Sequence, residues 1–488
     1  MRGESPRACL WLASYKAFFQ NVAAGLRTGR LPLERSVENP ADTRPKTGGR
    51  RLDKSCCGQV QSQPCAKGRG PGDPFAWFGR MIANCLEYAQ AAKREGRPVV
   101  GILCEYTPRE LILAAGGVPV CLCAGSAATI PAAEEYLPSN LCPLIKSTFG
   151  YHVKRSNPFL EMADLLVAET TCDGKKKMYE LLAESRPMIV LELPQKADDE
   201  ESLKAWEREL RRLQAALEER FGVRITDCRL REAIAAMNRE RALRRRLAEF
   251  MRLEPPPLTG RQLLELKSSI SGIPADLEQY EQAIARLEER IGQDQKPVAR
   301  RPDAGATPGG QDGCPSRLGG QDARPPLPAG GDSCAPVRVL MTGVPVVHGA
   351  ERVVDIIESA GGVVVCMENC TGLKPILEDV DAAAADPLRT LAEKYYHLPC
   401  SVMTRNDRRM DLLRALARAY RPECVIELVW QACLTYDIES HAVKRLAEGE
   451  LGLPYLKIVT DYSPSDSARI AMRVEALYET TRARRNSR

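Results

Sequence analysis

The sequence predicts an α/β protein of two Rossmann-like parallel-sheet domains, related as an internal pseudo-repeat, plus a helical subdomain. Three observations predict it. Short apolar runs alternate with helix-periodic segments in strand–helix–strand order, the signature of βαβ units and a parallel sheet. One phrase occurs twice, as Ala115-Gly-Gly-Val-Pro-Val-Cys121 and as Ala360-Gly-Gly-Val-Val-Val-Cys366. Between the copies, residues 199–293 abandon the alternation for long, charged, helix-periodic stretches.

The elements follow in order. Residues 1–72 read as a poorly ordered basic tail. Asn39–Gly70 is dense in Pro, Gly, Lys and Arg without a sustained apolar period, and its Cys56, Cys57 and Cys65 have no metal spacing. The first α/β domain is expected over 73–198. Phe75–Glu95 has helical period, Pro98–Cys104 is an apolar strand, and Thr107-Pro108-Arg109-Glu110 reads as a capping box opening the helix Arg109–Ala115. Val118–Cys123, Ala163–Glu169 and Pro187–Leu193 are further strands, with the helix Lys175–Ala183 between the last two. The helical subdomain, 199–296, holds Glu201–Phe221, Leu230–Met251 and Gly260–Ile291, broken by Pro255-Pro256-Pro257. A Gly/Pro-rich linker, 297–336, repeats Gly-Gly-Gln-Asp at 309–312 and 319–322 and carries Cys314 and Cys334; such composition does not bury a core. The second α/β domain, 337–488, has strands Val337–Thr342, Gly362–Met367, Cys424–Val429 and Tyr455–Thr460. Its helices are Glu351–Ala360, Leu412–Ala419, Ile438–Leu446 and Ser467–Thr480.

Charge and hydropathy exclude some functions. The chain carries +5, but residues 1–70 alone carry 13 Lys/Arg against 5 Asp/Glu, so the remaining part sums to −3. The mildly acidic folded part argues against nucleic acid as a partner. No apolar run reaches about 18 residues, which argues against a membrane span, and Cys9–Ser14 is too short for an export signal. A cytoplasmic, reducing location is expected. There, eighteen cysteines point to metal or redox work rather than to disulfides.

The cysteines share the repeat. Past each Ala-Gly-Gly phrase comes another cysteine, Cys123 and Cys370. A Leu-Pro phrase then precedes Cys142 and Cys400, and an apolar strand ends at Cys172 and Cys433. Residues just past strand C-termini line the ligand crevice of a doubly wound sheet. Three thiolates per half leave a coordination position open, whereas a structural cluster is normally closed by four. Cys121 and Cys366, inside strands, read as core thiols, and Cys85, Cys228 and Cys424 as packing or surface residues. Zinc is disfavoured: the chain has no CxxC pair, and its four histidines have no zinc spacing.

At these residues the chain resembles the 2-hydroxyacyl-CoA dehydratase/benzoyl-CoA reductase superfamily, and within it the double-cubane cluster proteins. The phrases are CEYTPRELILAAGGVPV (104–120), LPSNLCPLIKSTFG (137–150), DLLVAETTCDGKKKMYELL (164–182), TGVPVVHGAERVVDIIESAGGVVVCMENCTG (342–372), LPCSVMTRNDRR (398–409), WQACLTYDIESHAVKR (430–445) and TDYSPSDSARIAMRVEA (460–476). They cover roughly 75–480.

The resemblance implies an iron–sulfur protein of the 2-hydroxyacyl-CoA dehydratase family. It implies two 4Fe–4S cubanes joined by a sulfide on six cysteines. Cys142, Cys172, Cys370, Cys400 and Cys433 match family phrases; repeat symmetry offers Cys123 as the sixth, and the CEYTP phrase offers Cys104. A separate ATP-hydrolysing activator with its own 4Fe–4S cluster would supply low-potential electrons. This fits the absence of GxxxxGK[ST] from the chain. The substrate would be a small unsaturated molecule or an acyl-CoA, and a homodimer is implied. Lys146, Glu368, Asn369, His348 and Gln431 are candidate tuners or contacts, His348 also a candidate proton donor. Asp173 reads as a helix cap, and Asp461 and Asp466 as loop and cap residues. Two alternatives stay open: a lyase subunit with one cubane, which leaves Cys370 and Cys400 without work, and an iron–sulfur carrier without catalysis.

Overall fold

The structure, a computed structural model, describes residues 73–294 and 335–487. The basic tail with Cys56, Cys57 and Cys65, and nearly all of the linker with Cys314 and Cys334, lie outside the described residues.

Two four-stranded, all-parallel sheets form the frame. The first holds β1 (Val99–Ile102), β2 (Val118–Cys121), β3 (Leu165–Glu169) and β4 (Met188–Leu191), in the order β2-β1-β3-β4. The second holds β5 (Val337–Gly343), β6 (Gly362–Met367), β7 (Cys424–Trp430) and β8 (Tyr455–Thr460), in the order β6-β5-β7-β8. The repeated phrase therefore marks a repeated topology. The central strands are buried along their whole length, which is why they read as continuous apolar runs rather than as alternation. In each sheet the strand order turns back between the first and third strands, which opens a crevice at their carboxyl ends.

Helices cover the sheets. In the first half these are α1 (Pro74–Gly79), α2 (Met81–Arg94), α3 (Arg109–Ala114), α4 (Pro143–Val153), α5 (Pro158–Met162) and α6 (Asp173–Ala183). Four follow: α7 (Glu200–Phe221), α8 (Asp227–Glu249), α9 (Gly260–Glu265) and α10 (Pro274–Asp294). The second half adds α11 (Arg352–Ser359), α12 (Pro387–Tyr396), α13 (Asp407–Tyr420), α14 (Leu434–Lys444) and α15 (Ser467–Asn486). The α7 sequence shows why such a charged stretch folds. Leu203, Trp206, Leu210, Leu213 and Leu217 recur every three or four residues and are all buried. Asp199 caps its start by accepting the Ser202 N–H at 3.0 Å, and Gly222 ends it at φ +63°. Its apolar stripe packs in one core with Tyr395 and Tyr396 of α12 and Tyr106 after β1. Among the described residues no helix is long and apolar enough to cross a membrane.

The structure corrects several local expectations. The helix expected over Phe75–Glu95 is two helices that meet at Arg80. That over Gly260–Ile291 stops at Glu265. The chain then runs beside β2, where the Cys121 N–H donates to the Ser269 carbonyl at 2.8 Å and Ile270 bridges Val120. Two adjacent serines, Gly272 at φ +79° and Pro274 disfavour helix there. The capping box at Thr107 does not form: its hydroxyl donates to Glu169 at 2.5 Å, and Glu110 turns to Arg241 and Tyr395. The helices α4, α5 and α12 were missed, although each has proline in its first turn.

Candidate metal centre

Seven thiols gather at the carboxyl ends of the two sheets. Cys104 follows β1, Cys123 follows β2 and Cys172 follows β3; Cys370 follows β6 and Cys433 follows β7. Cys142 and Cys400 lie in the connections from second to third strand of their halves. Cys142, Cys172 and Cys433 are the N-cap residues of α4, α6 and α14, and none of their side chains caps its own helix. A helix N-terminus presents free N–H groups and the positive end of its dipole, so each of these sulfurs sits where negative charge is stabilised.

The thiols form one connected group. Cys142 and Cys433 are neighbours whose thiols act on each other. Cys172 feels Cys433 and Cys400, Cys370 feels Cys400 and Cys104, and Cys123 feels Cys104. Burial pushes Cys104 up to about 12 and raises Cys172 and Cys370. The neighbouring Cys433 thiol holds Cys142 below the ordinary thiol value, against burial. Binding a metal cluster would thus displace protons from buried thiols.

Two lysines that sequence reasoning missed face this group. Lys175 donates to the Leu103 carbonyl at 2.8 Å. Burial works against its charge, but Tyr179 and the thiols of Cys104, Cys123 and Cys172 hold the ammonium well above its ordinary value. Lys374, almost fully buried, pairs with Glu368 at 3.0 Å and donates to the Tyr436 hydroxyl at 3.2 Å. Burial lowers it, yet Glu368, Cys370 and Cys400 together raise it. The only hint of Lys175 in the sequence was its place in DGKKK after Cys172; nothing marked Lys374.

Tyrosines close the group from the side. Tyr106, fully buried, donates to the Leu398 carbonyl at 3.1 Å and so ties the Cys104 loop to the Cys400 loop. Tyr462 lies against Cys142, Cys123 and Cys433. Beneath Cys370 and Cys400, Arg409 bonds Glu368, Glu427 and Glu439 at 3.2, 3.2 and 2.5 Å, and stands 4.9 Å from the Tyr436 ring.

The donor set fits an iron–sulfur group. It is thiol-rich, nearly dry, and flanked by ammonium groups and helix N-termini that suit a negatively charged cluster. Among the described residues no three Cys, His, Asp or Glu side chains close on a single metal ion; a cubane several ångström across does not need them to.

The other sequence candidates divide. Glu368 and Asn369 are buried, bonded to Thr342 at 2.6 Å and to the Val344 carbonyl at 3.2 Å. Lys146 points away, to Glu134 and the Ser139 carbonyl, both at 2.7 Å. Gln431 is exposed. The His348 side chain is 62% exposed and lies 3.5 Å from Glu351, at the rim of a cavity that also holds Cys121, Cys123 and Cys370. Asp173 is not the cap of α6 but its first residue, paired with Lys176 at 2.8 Å. Asp461 holds its loop through the Ser463 N–H at 2.7 Å. Asp466 stands at the N-cap of α15 but spends its carboxylate on Thr460 and Arg352, both at 2.8 Å. Cys366 and Cys424 are core residues, Cys85 is buried against Ser268, and Cys228 is exposed. Cys121, expected in the core, opens on the cavity instead.

Fold and site together define an α/β protein with two matched parallel sheets whose thiols meet in one crevice. Residues 104–481 match the family of the 2-hydroxyglutaryl-CoA dehydratase D-component, and the chain belongs to that family, within the 2-hydroxyacyl-CoA dehydratase superfamily. It is 38% identical to a putative dehydratase subunit, YjiM, of Escherichia coli strain K12, over 79% of this chain and 92% of that protein. It is also similar to the (R)-phenyllactyl-CoA dehydratase beta subunit of Clostridium sporogenes, at 20% identity over 83% of this chain and 98% of that one. The lactoyl-CoA dehydratase subunit beta of Anaerotignum propionicum is 28% identical over 32% of this chain and 41% of its own length.

Proposed function

We propose that this chain is the iron–sulfur reductase component of a two-component system, carrying a sulfide-bridged pair of 4Fe–4S cubanes. The observation that supports this reading is the joining of Cys370 and Cys400 to Cys104 and Cys172 in one thiol group, since a single cubane on three cysteines would leave them idle. Cys142, Cys172, Cys370, Cys400 and Cys433 would hold the irons, with Cys123 or Cys104 as the sixth thiolate. Topology favours Cys123, because it follows β2 as Cys370 follows β6; proximity to Cys370 and Cys400 favours Cys104.

When bound, the cluster would supply low-potential electrons, received one at a time from an ATP-hydrolysing activator and passed to a small unsaturated or acyl-CoA substrate. The chain's own share is to exclude water with Tyr106 and Tyr462, to offset the cluster's charge with Lys175 and Lys374, and to hold a proton on His348 at the rim. Relatives named as dehydratase subunits favour a second reading, a lyase subunit with one cubane.

Iron and acid-labile sulfide per chain, on protein purified without oxygen, separate the two. About eight irons and nine sulfides are expected of the bridged pair. About four irons would replace this reading with the lyase subunit, and bound zinc without iron would overturn both. Labile, transferable iron with no activator-dependent reduction would instead indicate a carrier.

A further inference from the structure

The cavity beside the thiols has two ammonium groups in its wall without a carboxylate at ion-pair distance among the described residues. Its volume is about 100 Å³, and it lies between the crevice and the helices that follow β4. Three arginines in its wall have carboxylate partners: Arg109 pairs with Glu105 at 2.9 Å, Arg241 with Glu110, and Arg244 with Glu240 at 3.7 Å. Two lysines have none among the described residues. Lys267 donates only to the Val346 carbonyl and Lys394 only to the Pro375 carbonyl, each at 3.2 Å. Lys394 is 7% exposed. An ammonium withdrawn from water without a counter-ion is costly, so buried Lys394, with half-buried Lys267 in the same wall, calls for an anion in the cavity.

We propose that this cavity is a subsite for the carboxylate of a small free acid, held by Lys267 and Lys394 beside Cys123 and Cys370. A cavity of about 150 Å³ accepts benzene, so one of about 100 Å³ takes an occupant of some three to five heavy atoms. The acyl end of a thioester would fit by size but is neutral, and would leave both ammonium groups unanswered. The subsite's role in reduction rests on the cluster reading above; the binding itself does not.

The test is isothermal titration of the full chain, purified without oxygen, with acrylate, acetate and the neutral isostere acrylamide at constant ionic strength. Saturable binding of acrylate and acetate, with acrylamide silent, is expected. K267Q and K394Q should each weaken acrylate by about 10- to 100-fold, the range for a charge-assisted hydrogen bond, while K267R retains most of the affinity. Equal binding of acrylamide, no saturable binding, or wild-type affinity in both glutamine variants would overturn the subsite. Iron content and activator-driven reduction are read on the same samples. Intact iron without acrylate binding removes the subsite alone; acrylate binding without iron removes the cluster reading alone.

Discussion

Cys142 and Cys433 are neighbouring thiols that shift one another's titration, yet each stands at the N-cap of a helix belonging to a different half of the chain. Two helix N-termini are thereby aimed at one pair of sulfurs. The pair joins the halves only if both sheets are formed and correctly docked, so the metal centre reports on the tertiary fold.

From this pairing, C142S and C433S should each lower bound iron by half or more while leaving far-ultraviolet circular dichroism unchanged. Serine fits the space, so the fold should survive. Comparing C123S with C104S by the same iron assay identifies the sixth thiolate, as only the true ligand's loss should lower iron and alter the electron paramagnetic resonance spectrum of the reduced protein. Full iron in both C142S and C433S would remove these residues from the ligand set.

The loop that carries Cys123 touches the loop after β5, which carries His348, at two glycines. Gly349 has φ +89°, and a Cβ there would stand 2.5 Å from the Gly125 carbonyl oxygen, two residues past Cys123. G349A must relieve both the clash and the backbone conformation. It should destabilise the protein by more than about 1 kcal/mol, seen as a lower melting temperature, with a parallel loss of iron. An unchanged melting temperature would mean that the loops part without cost.

Arg409 is fully buried among Glu368, Glu427 and Glu439. Replacing it with methionine would fill the volume but take the guanidinium from three carboxylates, of which, among the described residues, only Glu368 keeps a cation, Lys374, and breaking a buried charge network in this way costs about 3–5 kcal/mol. A reduced denaturation midpoint in urea checks this. The lysine variant should recover part of the loss, because it restores the charge without the planar fork.

The fold and much of the site could be read from residues because their signals are local. The duplicated Ala-Gly-Gly phrase sits at the same turn into the second strand of each sheet, where a glycine at positive φ is needed: Gly116 at +82° and Gly361 at +93°. The cysteines sit past strand ends, which sequence spacing also marks. What could not be read depends on long-range partners. Thr107 carries a good capping pattern, but its hydroxyl is claimed by Glu169 across the sheet. Lys175, Lys267 and Lys374 resemble any other lysines until distant strands and helices bring thiols or carbonyls beside them. Ser268 to Gly272 leaves the helix because β2 offers its edge, which helical period alone does not reveal.

Asp276 gives the pH dependence a defined sign. It lies in the first turn of α10, 5% exposed, and accepts the Trp77 indole N–H at 2.8 Å. Burial pushes its carboxyl up to about 6, against the hydrogen bonds from Trp77 and Ser268, which lower it. The folded state therefore holds this proton more tightly than the unfolded chain, whose aspartate titrates near about 4. Stability contributed by the neutral carboxyl is complete below about 4 and is lost as pH rises through about 6. Asparagine keeps the acceptor for Trp77 and never ionises, so D276N should be more stable than the parent by roughly 2–3 kcal/mol at pH 7.5, at about 1.4 kcal/mol for each pKa unit. The gap should shrink to about half of that at pH 5, where the unfolded aspartate is already ionised but the folded one is not. D276A, which loses the acceptor as well, should gain less. Urea unfolding of the three proteins at both pH values decides the matter: a gap between D276N and the parent that is the same at pH 5 and pH 7.5 would show that the Asp276 carboxyl is already ionised at pH 5 in the folded state.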